Sequence, residues 1–146
     1  MIIRDLELGD VDKVCIMEEE AFSMPWHKES FIDMINNPDA LYLVAEDSGE
    51  VVACAGVLSV LGEGDICNIV VESSKRGQGI GEKLVEELLR RGREDYAIEA
   101  FTLEVRVGNK PARGLYEKLG FEFAGVRPGF YDDPKEDAAI YWLREE

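Results

Sequence analysis

The sequence has few cysteines and a single histidine, the residues that most often mark a metal site or a disulfide framework. The three cysteines, Cys15, Cys54 and Cys67, are odd in number, widely spaced and without a Cys-x-x-Cys pair. This pattern fits neither paired disulfides nor zinc ligation. We therefore expect no bound metal and a reducing, cytoplasmic environment.

Long hydrophobic runs are also missing from the chain. The longest nearly apolar stretch, residues 51–61, covers 11 residues and contains Gly56 and Ser59, well short of the roughly 20 residues that span a membrane. Near the N-terminus, Arg4 and Asp5 interrupt the apolar start before an export segment could form. The sequence therefore predicts no membrane partner and no export signal.

Basic residues are scarce. Lysine and arginine number 16 against 31 aspartates and glutamates, which gives a formal net charge of −15. Binding to nucleic acid depends on Lys and Arg contacts with phosphates, so we expect no direct nucleic-acid partner. The acidic excess favours a cationic partner only weakly. The 146 residues, of which 46% are hydrophobic, suffice for one domain over the whole chain, 1–146, with a single core.

Apolar periodicity predicts a chain of the α/β class. Seven strands are predicted, at 1–6, 41–46, 51–61, 65–71, 101–107, 121–126 and 138–143. Four helices are predicted, one between Asp10 and Met24 and the others at 27–36, 81–91 and 111–119. Turn residues at 48–49 and 62–64 indicate hairpins, and the helix at 81–91 joins two parallel strands. The expected fold is a mixed, mostly antiparallel sheet of about seven strands with helices on both faces.

A glycine-rich turn, Arg-Gly-Gln-Gly-Ile-Gly at 76–81, stands between a predicted strand and a predicted helix. Such a turn offers backbone N–H groups and the positive end of a helix dipole to an anion such as a pyrophosphate. Lys75, Arg76 and Lys83 are nearby cations. The alternative is a tight turn that binds nothing. The spacing matches neither a dinucleotide-binding loop nor a P-loop.

Three further side chains draw attention by their positions. Glu104 alternates with apolar residues on a predicted strand, where it is either a functional group such as a general base or an exposed or salt-bridged carboxylate, with Arg106 as one partner. The spacing of Tyr116, beside Leu115 and Leu119 on a predicted helix, is typical of a packing residue. Asn109, two residues before Pro111, stands where a turn or helix cap is expected.

Several motifs together carry a resemblance. In chain order they are Phe-Ser-Met-Pro-Trp at 22–26, Asn-Ile-Val-Val at 68–71, Arg-x-x-Gly-x-Gly at 76–81, Leu-Glu-Val-Arg at 103–106, Asn109, Leu-Tyr-Glu-Lys-Leu-Gly-Phe at 115–121, Tyr131 and Glu-Asp-Ala at 136–138. Over essentially the whole chain, the sequence resembles the GNAT superfamily of N-acetyltransferases and, more narrowly, the ribosomal-protein alanine N-acetyltransferase (RimI) family. The resemblance implies the GNAT fold, in which the parallel strands ending at Val71 and carrying Glu104 splay apart to hold acetyl-CoA.

The resemblance also implies how acetyl-CoA binds as co-substrate. The backbone near the end of the first parallel strand pairs with pantetheine amides as an added strand would, and the glycine-rich turn holds the pyrophosphate. The implied cofactor contacts are Ile69, Val70, Val71, Arg76, Gly77, Gln78, Gly79, Ile80, Gly81 and Asn109.

The resemblance further implies the chemistry and the acceptor. Glu104 takes a proton from the incoming amine, Tyr116 protonates the departing thiolate, and a backbone N–H at a strand bulge near 69–71 meets the oxyanion. Trp26 and Tyr131 border the acceptor. The implied acceptor is the N-terminal amine, with alanine first, of a basic small-subunit ribosomal protein.

Two residues depart from the family pattern. His27 stands where the family more often has a Ser or Thr helix cap, and Phe130 stands where it often has a tyrosine. Cys67 has no histidine beside it in the sequence, so we expect no acyl-enzyme. Two other functions stay open: acetyl transfer to a small-molecule amine or a lysine, and a non-enzymatic acetyl-CoA-binding module, against which the presence of both Glu104 and Tyr116 argues.

Overall fold

A computed structural model describes residues 1–144 of the chain. The strands are β1 (Ile2–Asp5), β2 (Ala40–Asp47), β3 (Glu50–Val60), β4 (Glu63–Val71), β5 (Ala100–Arg106), β6 (Glu122–Tyr131) and β7 (Glu136–Arg144). The helices are α1 (Val11–Ala21), α2 (Lys28–Asn36), α3 (Ile80–Tyr96) and α4 (Lys110–Lys118). None of the helices in this described part is long and apolar enough to cross a membrane.

The seven strands form one sheet in the order β1-β2-β3-β4-β5-β7-β6. Every neighbouring pair is antiparallel except β4 and β5. Helix α3 supplies the crossover between these two strands, as parallel neighbours require. The predicted fold class, a mixed and mostly antiparallel sheet with one parallel pair, is confirmed.

Alternation along the strands divides the core into two layers, one on each face of the sheet. On β2, Leu41 and Leu43 face a cluster that includes Leu84 and Leu88 of α3. Their neighbours on the same strand face a second cluster formed with α1 and α2, where Phe31 is fully buried. Helices therefore cover both faces, as the sequence predicts.

The turn between β3 and β4 differs from the prediction. It lies at Leu61-Gly62 instead of 62–64, because both residues take positive φ angles of 51° and 84°, the pair that a tight hairpin needs. Leucine is unusual in that conformation, and its side chain is 99% exposed. Gly64 belongs to β4, where its missing Cβ leaves room for Phe101.

The last two strands are longer than predicted. β6 continues through Pro128 and Gly129 to Tyr131, and β7 begins at Glu136. A proline is tolerated because β6 is an edge strand, so its missing N–H breaks no central ladder. Pairing with β7 is irregular over 127–131. At the end of β6, the Tyr131 ring contacts the guanidinium of Arg106 on β5.

Candidate active site

The centre of the sheet opens between its two parallel strands. β4 and β5 pair only over three positions, Glu63–Asp65 against Ala100–Thr102. Beyond these positions β4 keeps pairing with β3, and β5 keeps pairing with β7. The facing edges of 66–71 and 103–106 are therefore not joined by a ladder. This is the splay that the resemblance implies.

A β-bulge interrupts β4 beside the splay. Cys54 of β3 pairs with Val70, and Gly56 pairs with Cys67, so that two residues of β4 lie opposite one residue of β3. One of the two, Asn68, has a left-handed φ of 55°. A bulge leaves its extra residue outside the ladder and redirects backbone groups. The strand bulge that the resemblance implies near 69–71 is thus present, at Asn68 and Ile69.

The glycine-rich turn leads from β4 into α3. Gly77 and Gly79 have φ angles of 78° and 79°, which favour glycine, and a Cβ added at either would meet no atom within 4 Å. Gly81 is different, since a Cβ there would approach Val71 to 3.3 Å. The first two glycines thus leave open space above the N-terminus of α3, and the third lets the helix pack close to β4.

The charges around this turn are partly neutralised. Glu82, in the first turn of α3, pairs with Lys118 of α4 at 3.0 Å. Arg76 donates from Nε to the carbonyl oxygen of Val71 at 3.1 Å. The salt bridge offsets the acid nearest to the open N–H groups, and the arginine fixes the turn against the end of β4. These features fit an anionic group at the helix N-terminus.

Glu104 lies on β5 just past the last residue paired with β4. Its side chain is half-buried, 24% exposed, and faces away from the buried Leu103 and Val105. Burial and the negative charge of Asp65 raise its pKa, whereas Arg127, 3.8 Å from Oε1, opposes the rise. The alternative pairing with Arg106 is wrong.

Arg106 instead joins the two segments that border the splay. It forms a salt bridge with Glu136 at 3.2 Å and donates to the carbonyl oxygen of Asp132 at 3.0 Å. It also reaches Ser23 Oγ at 3.5 Å, and its guanidinium stacks 4.6 Å from the ring centre of Tyr131. Arg106 therefore links Ser23 to Tyr131, Asp132 and Glu136. The role of these two segments on the acceptor side stays a prediction.

Tyr131 of β6 interacts electrostatically with Glu104 on one side and with Tyr116 of α4 on the other. Burial raises the pKa of Tyr131 to about 12, with a further contribution from the Glu104 charge. Burial also raises the pKa of Tyr116 well above its ordinary value, and Tyr131 adds to the effect. The two phenols and the carboxylate thus form one electrostatic cluster, in which both phenols keep their protons at neutral pH.

Trp26 lies in the connection between α1 and α2. Its ring packs 5.4 Å from Phe31 and 6.4 Å from Tyr42, measured between ring centres. His27, next to it, is the N-cap residue of α2 and makes no capping hydrogen bond through its side chain. The predicted weak start of this helix is confirmed.

Asn109 caps a helix, and Cys67 is a buried thiol. The side chain of Asn109 caps α4, accepting a hydrogen bond from the N–H of Ala112 at 3.3 Å. The side-chain nitrogen of Asn109, Nδ2, takes no part in this capping hydrogen bond. Burial raises the pKa of Cys67 to about 12, so its sulfur is a thiol at neutral pH and a poor nucleophile. No acyl-enzyme is expected from it.

Sequence reasoning missed one group beside the site, the buried carboxylate of Glu18. The side chain, 1% exposed, bonds Asn68 of the β4 bulge and the backbone N–H of Trp26. A signal was available, because the residue follows Val11 and Val14 at helical spacing and therefore lies on the apolar face of α1.

Comparisons with known proteins identify what this arrangement is similar to. Residues 11–121 match the family described as Acetyltransferase (GNAT) family. An Escherichia coli (strain K12) protein named [Ribosomal protein bS18]-alanine N-acetyltransferase is 34% identical, covering 97% of this chain and 95% of the relative. A Bacillus subtilis (strain 168) protein, provisionally named for the same activity, is 39% identical over 97% of this chain and 93% of its own length.

A solved structure shows the same arrangement of elements. The crystal structure of the ribosomal-protein-S18-alanine N-acetyltransferase from Escherichia coli has a TM-score of 0.88 and 32% sequence identity, covering 98% of this chain and 92% of that one. The whole described fold, from β1 to β7, is therefore shared with these relatives.

Proposed function

The protein belongs to the acetyltransferase (GNAT) family and is an N-acetyltransferase, and from that premise we propose that it transfers an acetyl group from acetyl-CoA to the N-terminal α-amine of a ribosomal protein, with alanine as the first residue. The observation that carries this proposal is the position of Glu104. A half-buried carboxylate lies on β5 just beyond the last position paired with β4, where the splay begins, and it interacts with Tyr131 of β6. Such an acceptor implies action in the cytoplasm.

The donor site fits acetyl-CoA. Open space above the N-terminus of α3, framed by Gly77 and Gly79, suits a pyrophosphate. The unpaired edge of β4 offers backbone groups at Ile69 and Val71 to the pantetheine amides. Acetyl-CoA supplies an activated thioester carbonyl, and the chain's own groups hold it beside the base. The remaining contacts proposed on this side are Val70, Arg76, Gln78, Ile80, Gly81 and Asn109.

The catalytic groups act directly in a ternary complex. Glu104 would accept a proton from the incoming ammonium and release it to water, and the neutral amine nitrogen would then bond to the thioester carbonyl carbon as the carbon–sulfur bond breaks, losing its second proton to Glu104. Tyr116 would donate its phenolic proton to the departing sulfur, and the proton held by Glu104 would return to the Tyr116 oxygen through water. Backbone N–H groups of the β4 bulge stabilise the negative charge that develops on the carbonyl oxygen.

An α-amine suits a modest base better than a lysine does. With a pKa of about 7.7–8.0, an α-amine is roughly 10–17% neutral at pH 7, whereas a lysine with a pKa of about 10.4 is roughly 0.04% neutral. The difference, about 2.5 pKa units or ~3.5 kcal/mol, is a deprotonation cost that a lysine acceptor adds and an α-amine avoids. The site therefore favours a protein N-terminus over a lysine side chain.

The acceptor side is less acidic than the sequence suggests. Of the four acidic residues at 132–137, Glu136 pairs with Arg106, and Asp137 accepts a hydrogen bond from the N–H of Gly129 at 2.8 Å. Asp132 and Asp133 are exposed and can attract a cationic peptide. We expect this attraction to be modest and screened by salt.

The acceptor is tested by comparing rates on three amines. We expect an Ala-initiated basic peptide to be acetylated faster than its N-terminally blocked, lysine-containing counterpart, with kcat/KM falling as salt rises. Equal rates on the blocked peptide, or a strong preference for spermidine, would reject the α-amine acceptor. Mass spectrometry of N-terminal acetylation in cells with and without the gene would then identify the natural protein.

The role of Tyr116 is tested by Tyr116→Phe. The ring packs 6.0 Å from Phe121 and 6.3 Å from Tyr141, contacts that phenylalanine keeps. We expect kcat to fall on the order of 10²-fold because the proton donor is lost, with little change in acetyl-CoA affinity. Tyr141→Phe is the matched control, since it removes a hydroxyl bonded to Arg113 and Glu117 and should keep kcat. If Tyr116→Phe keeps the wild-type kcat, as Tyr141→Phe is expected to do, Tyr116 is not the proton donor.

A further inference from the structure

Glu18 is a carboxylate buried without a charged partner. It lies on the apolar face of α1 beside Val14 and Met17, and both its hydrogen-bond donors are neutral: the side-chain amide of Asn68 and the backbone N–H of Trp26 at 3.3 Å. Its second oxygen, Oε2, has no hydrogen-bond partner among the described residues. Burial raises the pKa of Glu18 to about 7, against the lowering effect of the two donors.

Stability does not explain an acid at this position. Burying a carboxylate with one oxygen unsatisfied costs free energy, and an apolar side chain would suit the surrounding cluster better. A residue that breaks the local pattern without a gain in stability points to function. The two groups that donate hydrogen bonds to Glu18, the Asn68 side chain and the Trp26 N–H, indicate which function this is.

The first group is the bulge in β4. Asn68 has the left-handed φ of 55°, its side chain donates to Glu18, and its backbone carbonyl accepts from the hydroxyl of Tyr42 at 3.4 Å. The bulge is thus fixed from two sides, and its fixed geometry sets the direction of the backbone groups beside the splay.

The second group is the acceptor-side connection between α1 and α2. The Trp26 N–H donates to the same oxygen, Oε1, that accepts from Asn68. One carboxylate oxygen therefore joins the donor side of the site to the acceptor side, across 50 positions of sequence between Glu18 and Asn68.

We propose that Glu18 is a positioning residue, which holds the β4 bulge and the Trp26 connection in one fixed arrangement so that the acyl carbonyl and the incoming amine meet at reacting distance. The inference rests on the proposed function, because it assigns the bulge to the acyl side and Trp26 to the acceptor side. Glu18 touches neither substrate and acts through Asn68 and Trp26.

The test exchanges donor and acceptor between Glu18 and Asn68. Asn68→Asp places two carboxylates against each other, which is tolerated only when they share a proton. Relative to wild type at each pH, we expect its kcat/KM on the Ala-initiated peptide to be at least about 10-fold lower at pH 8 and to recover toward pH 6. The double variant Glu18→Gln/Asn68→Asp restores the bond between the two side chains with its direction reversed, but its amide donor then faces the Trp26 N–H. Its kcat/KM should therefore recover in part, to at least about 3-fold above that of Asn68→Asp at pH 8.

Glu18→Gln alone is the control for charge. Glutamine keeps an oxygen that accepts from Asn68 and Trp26, so its kcat/KM should fall less than that of Asn68→Asp at pH 8 and should show no recovery toward pH 6. The titratable groups around Glu18 are Cys15, Tyr42, Cys54 and Cys67, whose pKa values are all raised, so they stay uncharged over the tested range. Thermal unfolding of each variant, with assays run well below its Tm, separates lost geometry from lost folded protein.

The outcomes are distinct. Wild-type rates for Asn68→Asp at pH 8, or a double variant no better than the single one, would overturn the positioning role. Failure of the wild type on the Ala-initiated peptide would instead reject the proposed acceptor. In that case the same variants are compared on whichever amine the wild type does acetylate, and rescue by the double variant still decides the positioning role.

Discussion

Replacing Glu104 with glutamine is expected to lower kcat/KM at pH 7 by about 10²–10⁴-fold, the usual contribution of a positioned general base. Glutamine has the same shape, so the strand and its pairing with β7 should be unchanged. The glutamine side chain cannot accept a proton. Water replaces the carboxylate poorly as a base because the position is half-buried.

The pH dependence separates two parts of that loss. At pH 7 an α-amine is roughly 10–17% neutral, and at pH 9 it is more than ~90% neutral. About 6- to 10-fold of the deficit at pH 7 should therefore disappear by pH 9, because free neutral amine no longer needs the base. The remainder, which belongs to proton removal during bond formation, should persist. A glutamine variant with unchanged kcat/KM at pH 7 would remove Glu104 from the mechanism.

Asp65 offers a matched control for this experiment. It lies at the last β4 position paired with β5, and its charge helps to raise the pKa of Glu104. Because a raised pKa delays formation of the carboxylate as pH rises, Asp65→Asn should move the acid limb of the rate profile to lower pH. Its maximum rate should change little. A profile that does not move would mean that another group controls this limb.

Local patterns in the sequence were enough to predict the sheet, the crossover helix and the glycine-rich turn. Alternation of apolar residues defined β5 and put Glu104 on its less apolar face, which the structure confirms. The splay between β4 and β5 was predicted from the resemblance alone. The separation of two strands depends on long-range pairing, which a local sequence pattern does not show. The turn at Leu61-Gly62 was missed because leucine gives no signal for a positive φ.

Contacts between distant segments were the part that the sequence could not provide. Arg106 pairs with Glu136 and Glu104 with Arg127, partners set by the register of β5, β7 and β6. The bond between Glu18 and Asn68 likewise depends on how α1 packs over the bulge. The sequence shows that an acidic residue lies on the apolar face of α1. It does not show which residue that acid contacts.

Replacing Gly79 with aspartate is expected to abolish acetyl-CoA binding and leave the fold intact. Gly79 is the N-cap residue of α3 and has a left-handed φ of 79°. An added Cβ meets no atom within 4 Å, and aspartate tolerates a left-handed φ better than most residues, so the variant should fold. The strain of that φ should lower the stability by on the order of 1 kcal/mol, which thermal unfolding will show.

The lost binding has an electrostatic cause that can be isolated. The aspartate carboxylate occupies the N–H groups that the pyrophosphate needs and repels its charge by about 3 kcal/mol at a separation of ~5 Å and an effective dielectric of ~20, which weakens binding by more than ~10²-fold. Gly79→Asn has the same shape and the same tolerance for left-handed φ without the charge, so calorimetry should find it weakened less. Equal weakening of the two variants would make the effect steric. Wild-type affinity for Gly79→Asp would show that the glycine-rich turn is only a turn, and the donor site would have to lie elsewhere.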